Sequence, residues 1–239
     1  MSLVTAAKGF GFEVRATDGA ARTGQLRTPH GDVETPAFMS VATFGAVRGL
    51  GPKDLDDLGA QILLANTYHL HERPSEGVIE SLGGLHGFTG WKGPWLTDSG
   101  GYQITSLSDR MKLSEKGIIF KSPLDGQTRE LTPEGAIAIQ EALGPDIAMV
   151  LDECQPIETS DTSEAARRKV ESASARTARW AARCAEARQR PDQAVFGIVQ
   201  GGPYEDLRRE SAAATASVGF DGYAHGGLGL GEERNQRVD

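Results

Sequence analysis

The pattern of apolar and polar positions changes character along the chain. In the first forty residues, short alternating runs at 10–15, 23–27 and 32–38 are separated by Asp18-Gly19 and His30-Gly31. Alternation broken by such turn pairs predicts antiparallel strands. From residue 38 onward, compact apolar runs at 38–42, 61–66, 94–98, 147–152, 195–200 and 222–226 alternate with helical stretches at 52–58, 133–143, 163–188 and 204–218. Pro52 and Pro133 suit a first helical turn, and Thr132 suits the cap before it. Repeated strand–helix units predict an α/β fold with a parallel sheet covered on both faces. Segments 117–121 and 128–131, joined by Pro123-Leu124-Asp125-Gly126, read as a β-hairpin inserted after the third of these strands. The expected organisation is thus an antiparallel lead-in over 1–36 and a strand–helix region over 37–239, with the insertion near 117–131. Six strand–helix units are visible, whereas a closed parallel barrel has eight. Two overlooked strands, an open sheet and a fragment all fit the pattern.

Composition changes this picture little. The chain has 239 residues, 38% hydrophobic and 24% charged, which suits a folded globular protein rather than a disordered or fibrous one. No apolar run approaches the roughly 20 residues that span a bilayer, and residues 1–14 lack a long apolar signal core. A cytoplasmic protein with no membrane partner is the expectation. The net charge of −8 gives no support for nucleic-acid binding beyond a local patch. Cys154 and Cys184 form no metal-site spacing, and His69 and His71 have no acidic or cysteine partner at ligand spacing, so no metal is expected. The arginines between 167 and 190 read as a salt-bridged helix face rather than a nucleic-acid groove.

Candidate chemistry lies at the strand ends. In parallel α/β barrels functional residues gather at the C-terminal ends of the strands. Here those ends read Asn66-Thr67-Tyr68-His69, Asp98-Ser99-Gly100-Gly101-Tyr102, Asp152-Glu153-Cys154, Gln200-Gly201-Gly202 and Gly226-Gly227-Leu228. Carboxylates accept from N–H groups, a glutamine amide donates and accepts, glycines bare the backbone, and Tyr102 offers a flat ring. Together they suit the edges of a guanine-like base. Each also has a plainer use. Asp98 suits a helix cap or turn, Asp152 a solvated or structural rim, and Tyr102 the core. Two carboxylates on one rim would also serve a glycoside hydrolase.

The longer motifs carry more. LTDSGGYQ (96–103), GIIFKSPLDG (117–126), IQEALGPDIAMVLDECQP (139–156), FGIVQGGPYEDLR (196–208) and GFDGYAHGGLGLGE (219–232) closely resemble the bacterial tRNA-guanine transglycosylases, or queuine tRNA-ribosyltransferases. TPAFMSVAT, ILLANTYHLHERP and TARWAARC extend the match over nearly the whole chain in order. The resemblance implies a (β/α)8 TIM-barrel family fold, of which about six strand–helix units are present. It implies exchange of guanine at a tRNA wobble position for a 7-deazaguanine, through a covalent ribosyl–aspartate. It implies Asp98 as base contact and proton acceptor, with Ser99, Gly100 and Gly101 completing its loop and Tyr102 stacking on the base. Asp152 and Gln200 would read the Watson–Crick edge, and Gly227 and Leu228 would bond it through the backbone. Asn66 would support the nucleophile. Cys154 and Leu230 fit the bacterial pattern, which favours 7-aminomethyl-7-deazaguanine over queuine. The family's nucleophile, last two barrel strands and zinc ligands lie beyond GGLGLGE, and 233–239 supplies none of them. No cofactor is therefore expected in this chain, and it is expected to be inactive alone. The expected partners are tRNA and a deazaguanine base, with a possible homodimer. A non-catalytic deazaguanine-binding accessory subunit is the alternative.

Overall fold

The computed structural model describes residues 7–107, 111–155 and 163–228. The lead-in is a three-stranded antiparallel sheet of β1 (Gly11–Asp18), β2 (Ala21–Thr28) and β3 (Gly31–Thr35). It is followed by β4 (Ser40–Val41), α1 (Pro52–Asp57), β5 (Leu63–Ala65), α2 (Thr67–Glu72), α3 (Glu76–Ser81), α4 (Gly84–Thr89), β6 (Trp95–Thr97) and α5 (Gly101–Leu107). A second antiparallel sheet of β7 (Met111–Leu113), β8 (Ile118–Lys121) and β9 (Thr128–Leu131) interrupts the series. Then come α6 (Pro133–Leu143), β10 (Ile147–Met149), α7 (Glu164–Ala187), β11 (Ala194–Val199), α8 (Glu205–Val218) and β12 (Gly222–His225).

Six strands form one parallel sheet in the order β12-β11-β10-β6-β5-β4. Each is hydrogen-bonded to its predecessor in the series, the order of a (β/α) barrel wall. Every strand therefore ends on the same side. Among the described residues β4 and β12 each have one paired edge. Two differences from the sequence reading have local causes. The rim segment after β5 is helical, but α2, α3 and α4 are six residues each, too short for an apolar period to show. The insertion has a third strand, β7, whose Met111 and Lys112 are exposed and give no alternation.

The long helices follow their sequence signals. Thr132 Oγ1 accepts from Gly135 N (3.1 Å) to cap α6, and Ser163 caps α7 through Ala166 N (3.1 Å). α7 buries Val170, Ala173, Ser174, Thr177, Trp180, Ala181 and Cys184, the three-and-four spacing of a helix lying along a sheet. Buried Gln140 of α6 stays satisfied because Thr97 Oγ1 and Met149 N donate to its Oε1, each at 2.8 Å. Among the described residues no helix is long and apolar enough to cross a membrane.

The N-terminal ends of the strands form a floor tied to the lead-in at two aspartates. Asp146, just before β10, accepts from Trp95 N (2.9 Å) and from His30 Nδ1 (2.8 Å) and N (3.2 Å) in the β2–β3 turn. His86 stacks on His30 with ring centroids 3.5 Å apart. His86 Nε2 lies 3.0 Å from the Gly93 carbonyl oxygen and 3.6 Å from Asp146, so the group ties the β2–β3 turn and α4 to the base of β10. Asp221, just before β12, accepts from Ala7 N (2.7 Å) and Val195 N (2.9 Å) and pairs with Arg188 (2.9 Å). The lead-in is thus fastened to the side of the sheet opposite the candidate chemistry.

Candidate base-binding site

The polar strand ends meet at the rim. Asp98 follows β6 directly. Its Oδ1 accepts from Thr67 N (2.9 Å) and Gly100 N (3.2 Å), and its Oδ2 accepts from Asn66 Nδ2 and from Gln103 Nε2 (2.9 Å). The bond to Gly100 N is the local turn that an aspartate there commonly makes; the other three reach across to β5's end and into α5. Asp152 lies on the loop after β10, where its Oδ1 accepts from Ser99 Oγ (3.3 Å) and its Oδ2 from Gln200 Nε2 (2.6 Å). Gln200, at the end of β11, is steadied by Ser211 Oγ, which accepts from its backbone N–H at 2.9 Å. One chain of side-chain bonds therefore joins the ends of β6, β10 and β11.

The glycines are required by this arrangement. A Cβ on Gly101 would stand 2.8 Å from the Asp152 carbonyl. Gly227 has φ +68°, and a Cβ there would meet Gln200 Oε1 at 2.7 Å. Gly100, beside Asp98, and Leu228, half-buried beyond Gly227, complete the backbone lining. Tyr102, in the first turn of α5, is 42% exposed, as a stacking residue would be. Leu230 lies outside the described residues.

Burial dominates the electrostatics. It raises the Asp98 carboxyl above its ordinary value despite four hydrogen bonds that pull it down. Burial likewise pushes Asp152 up to about 6, with the negative charge of Asp98 adding to it. The Cys154 thiol is raised to about 11, by burial first and then by Asp152, so it stays protonated and unreactive. The rim thus holds two carboxyls of unequal environment: Asp98 surrounded by donors, Asp152 with fewer.

Some contributors were not singled out from sequence. Thr67 and Gln103 hold Asp98, and Arg208 Nη1 donates to the carbonyls of Gly202 (3.4 Å) and Gly226 (3.2 Å), tying the loops after β11 and β12 together. Gln103 and Arg208 both sit in the quoted motifs, LTDSGGYQ and FGIVQGGPYEDLR. Asn66, carried over as a support for the nucleophile, donates to Asp98 here. His69 and His71 do not converge, since His69 lies against Phe44 and His71 bonds Glu76 at 2.7 Å.

The sequence profile of the queuine tRNA-ribosyltransferase family matches residues 17–239. The chain belongs to this family. It is 53% identical over 225 residues to the queuine tRNA-ribosyltransferase of a Thermus thermophilus strain, covering 94% of this chain and 57% of that protein. It is 54% identical over 212 residues to that of Thermosynechococcus vestitus (89% and 54%), and 48% identical over 227 residues to that of Deinococcus radiodurans (95% and 56%). The chain thus spans a little over half the length of the curated relatives it matches. Membership makes the fold a member of the TIM-barrel class, and the six ordered parallel strands are its wall.

Proposed function

We propose that this chain carries the base-binding site of a tRNA-guanine transglycosylase, which replaces guanine at a tRNA wobble position with 7-aminomethyl-7-deazaguanine. The observation that carries the reading is the Ser99–Asp152–Gln200 chain at the rim. Guanine offers two adjacent donors, N1–H and the N2 amino group, beside the O6 acceptor. Each carboxylate oxygen has two lone pairs, so Asp152 can accept those donors while keeping Ser99 and Gln200. The second amide proton of Gln200 suits O6, the backbone at Gly227 and Leu228 suits the rest of the edge, and Tyr102 suits the ring face.

Asp98 suits proton transfer. Its raised carboxyl is a better base than an ordinary aspartate, and its four donors fix its direction. In the proposed reaction an aspartate nucleophile takes the ribose C1′ as the bond to guanine breaks, and Asp98 in its acid form gives the leaving guanine its proton. Asp98 then accepts the proton that the incoming base gives up as it bonds to the ribosyl group. Asp98 and Asp152 are both occupied with the base, so the nucleophile is a third carboxylate, and we propose that the isolated chain binds bases without turnover. A deazaguanine-binding accessory role shares this site and differs only in turnover.

Calorimetry with guanine and with 7-aminomethyl-7-deazaguanine tests the binding reading, and labelled guanine with tRNA tests turnover. Binding of both bases without incorporation is expected. Absence of guanine binding would sink the site assignment, and incorporation by the isolated chain would refute binding without turnover.

A further inference from the structure

The loop after β10 is gripped from two sides. Asp152 faces Ser99 and Gln200 inside the rim, while the next residue, Glu153, faces α7. There Thr177 Oγ1 accepts from Glu153 N (2.9 Å), and Arg176 Nη1 donates to the Glu153 carboxylate. That carboxylate is only 7% exposed and the arginine side chain 18%. The gap between loop and helix is a cavity of about 10 Å³ bordered by Glu153, Ser174 and Gly202, room for about one water. A second anchor fixes the arginine, whose Nε donates to Glu115 Oε1 (3.1 Å) in the β7–β8 turn. Glu115 is held in turn by Arg179, and its carbonyl accepts from Trp180 Nε1 at 2.9 Å.

We propose that Arg176 is a positioning residue for the base-binding site, holding Glu153 so that the loop keeps Asp152 turned toward Ser99 and Gln200. The inference rests on the base-binding reading of Asp152. The physics is that of a buried charge that has lost its partner. Without Arg176 the Glu153 carboxylate keeps only a neutral donor, Gln155 Nε2 at 2.7 Å, and has almost no water to face, so it pulls the loop outward. Because Asp152 is its direct neighbour, that response alters Asp152's own bonds. Arg179 shares the Glu115 partner and, among the described residues, nothing on the loop, which makes it the matched control.

The test compares the parent chain with Arg176→Met, Arg179→Ala and the double variant Arg176→Met/Glu153→Gln. Methionine keeps the packed stem and removes the charge. Guanine affinity by calorimetry is expected to fall at least tenfold in Arg176→Met and to change less than twofold in Arg179→Ala. In the double variant it should recover to within threefold of the parent, because no unpaired charge remains. Without ligand, NMR titration of the Asp152 carboxyl should show a moved midpoint in Arg176→Met alone, with amide exchange over 152–155 at least tenfold faster. If the parent binds guanine and Arg176→Met binds equally well, or no worse than Arg179→Ala, the positioning role is overturned. If the parent does not bind guanine yet the Asp152 titration moves in Arg176→Met, the base-binding reading fails and the mechanical link stands. An unmoved titration with unchanged exchange removes the link itself. Should Arg176→Met not fold, Arg176→Lys keeps the charge but loses the two-sided grip, and a partial loss of affinity is expected; full affinity there would overturn the proposal.

Discussion

Replacing Asp152 by asparagine should make the free protein more stable, relative to the parent, as the pH rises, while weakening its hold on guanine. The carboxyl titrates near 6 in the folded chain against an ordinary 3.8, with burial as the main cause. At about 1.4 kcal/mol per pKa unit, this gap of about two units corresponds to about 3 kcal/mol. The sign follows from linkage. Below the unfolded value the group is neutral in both states and costs nothing. As pH climbs toward 6 the unfolded chain ionises first, so the folded state loses ground, and the loss levels off above 6. About half of the loss is already present at pH 5. The stability advantage of Asp152→Asn should therefore grow by about 1–2 kcal/mol between pH 5 and pH 8. For a chain of this size that is a relative gain of about 3–6 °C in Tm. Any misfit of the new amide against Gln200 Nε2 is independent of pH and drops out of the difference. Urea unfolding of both proteins at the two pH values measures it. In the same variant a charge-assisted bond to the base is lost, so guanine affinity should fall about 10- to 100-fold. A stability difference that stays constant, or shrinks, from pH 5 to pH 8 would show that Asp152 is not a buried carboxyl of raised pKa.

Other perturbations give independent checks. Asp98→Asn removes the neighbouring charge that adds to the Asp152 shift, so the pH-dependent loss of stability should move to lower pH, as read in the same unfolding series. Gly227→Ala places a Cβ 2.7 Å from Gln200 Oε1 at φ +68°, and should cost about 1–2 kcal/mol in unfolding experiments while displacing Gln200 and weakening guanine binding. Arg188→Ala strands Asp221 at the floor, 4% exposed, and should cost about 3–5 kcal/mol with a thermal shift of about 10 °C, read by calorimetric melting.

The strand–helix alternation was legible because the central parallel strands are short apolar blocks buried on both faces, as at Trp95–Thr97 and Ile147–Met149. The start of α6 could be read from Thr132 and Pro133, since a cap is a local signal, and the long helical stretch at 163–188 from its composition. The rim residues stood out because glycines and carboxylates clustered where apolar blocks ended. What escaped depends on distance along the chain. Nothing near Arg176 indicates that it meets Glu153, 23 positions away, or that His30 meets Asp146 across 116. The arginines of α7 did read as a paired face, and Arg176, Arg179 and Arg183 all have carboxylate partners. The spacing did not show that one of those pairs is buried against the rim.

The aspartates before the strands and those after them live under opposite conditions. Asp146 and Asp221 are saturated by backbone N–H groups, and Asp221 has a guanidinium as well, so they anchor the lead-in whatever happens at the other end of the sheet. Substitutions in the loops of the opposite rim can therefore accumulate without loosening that anchor. In a lineage of such chains, the rim can change while the scaffold stays fixed, and the floor is where engineering should leave the sequence alone.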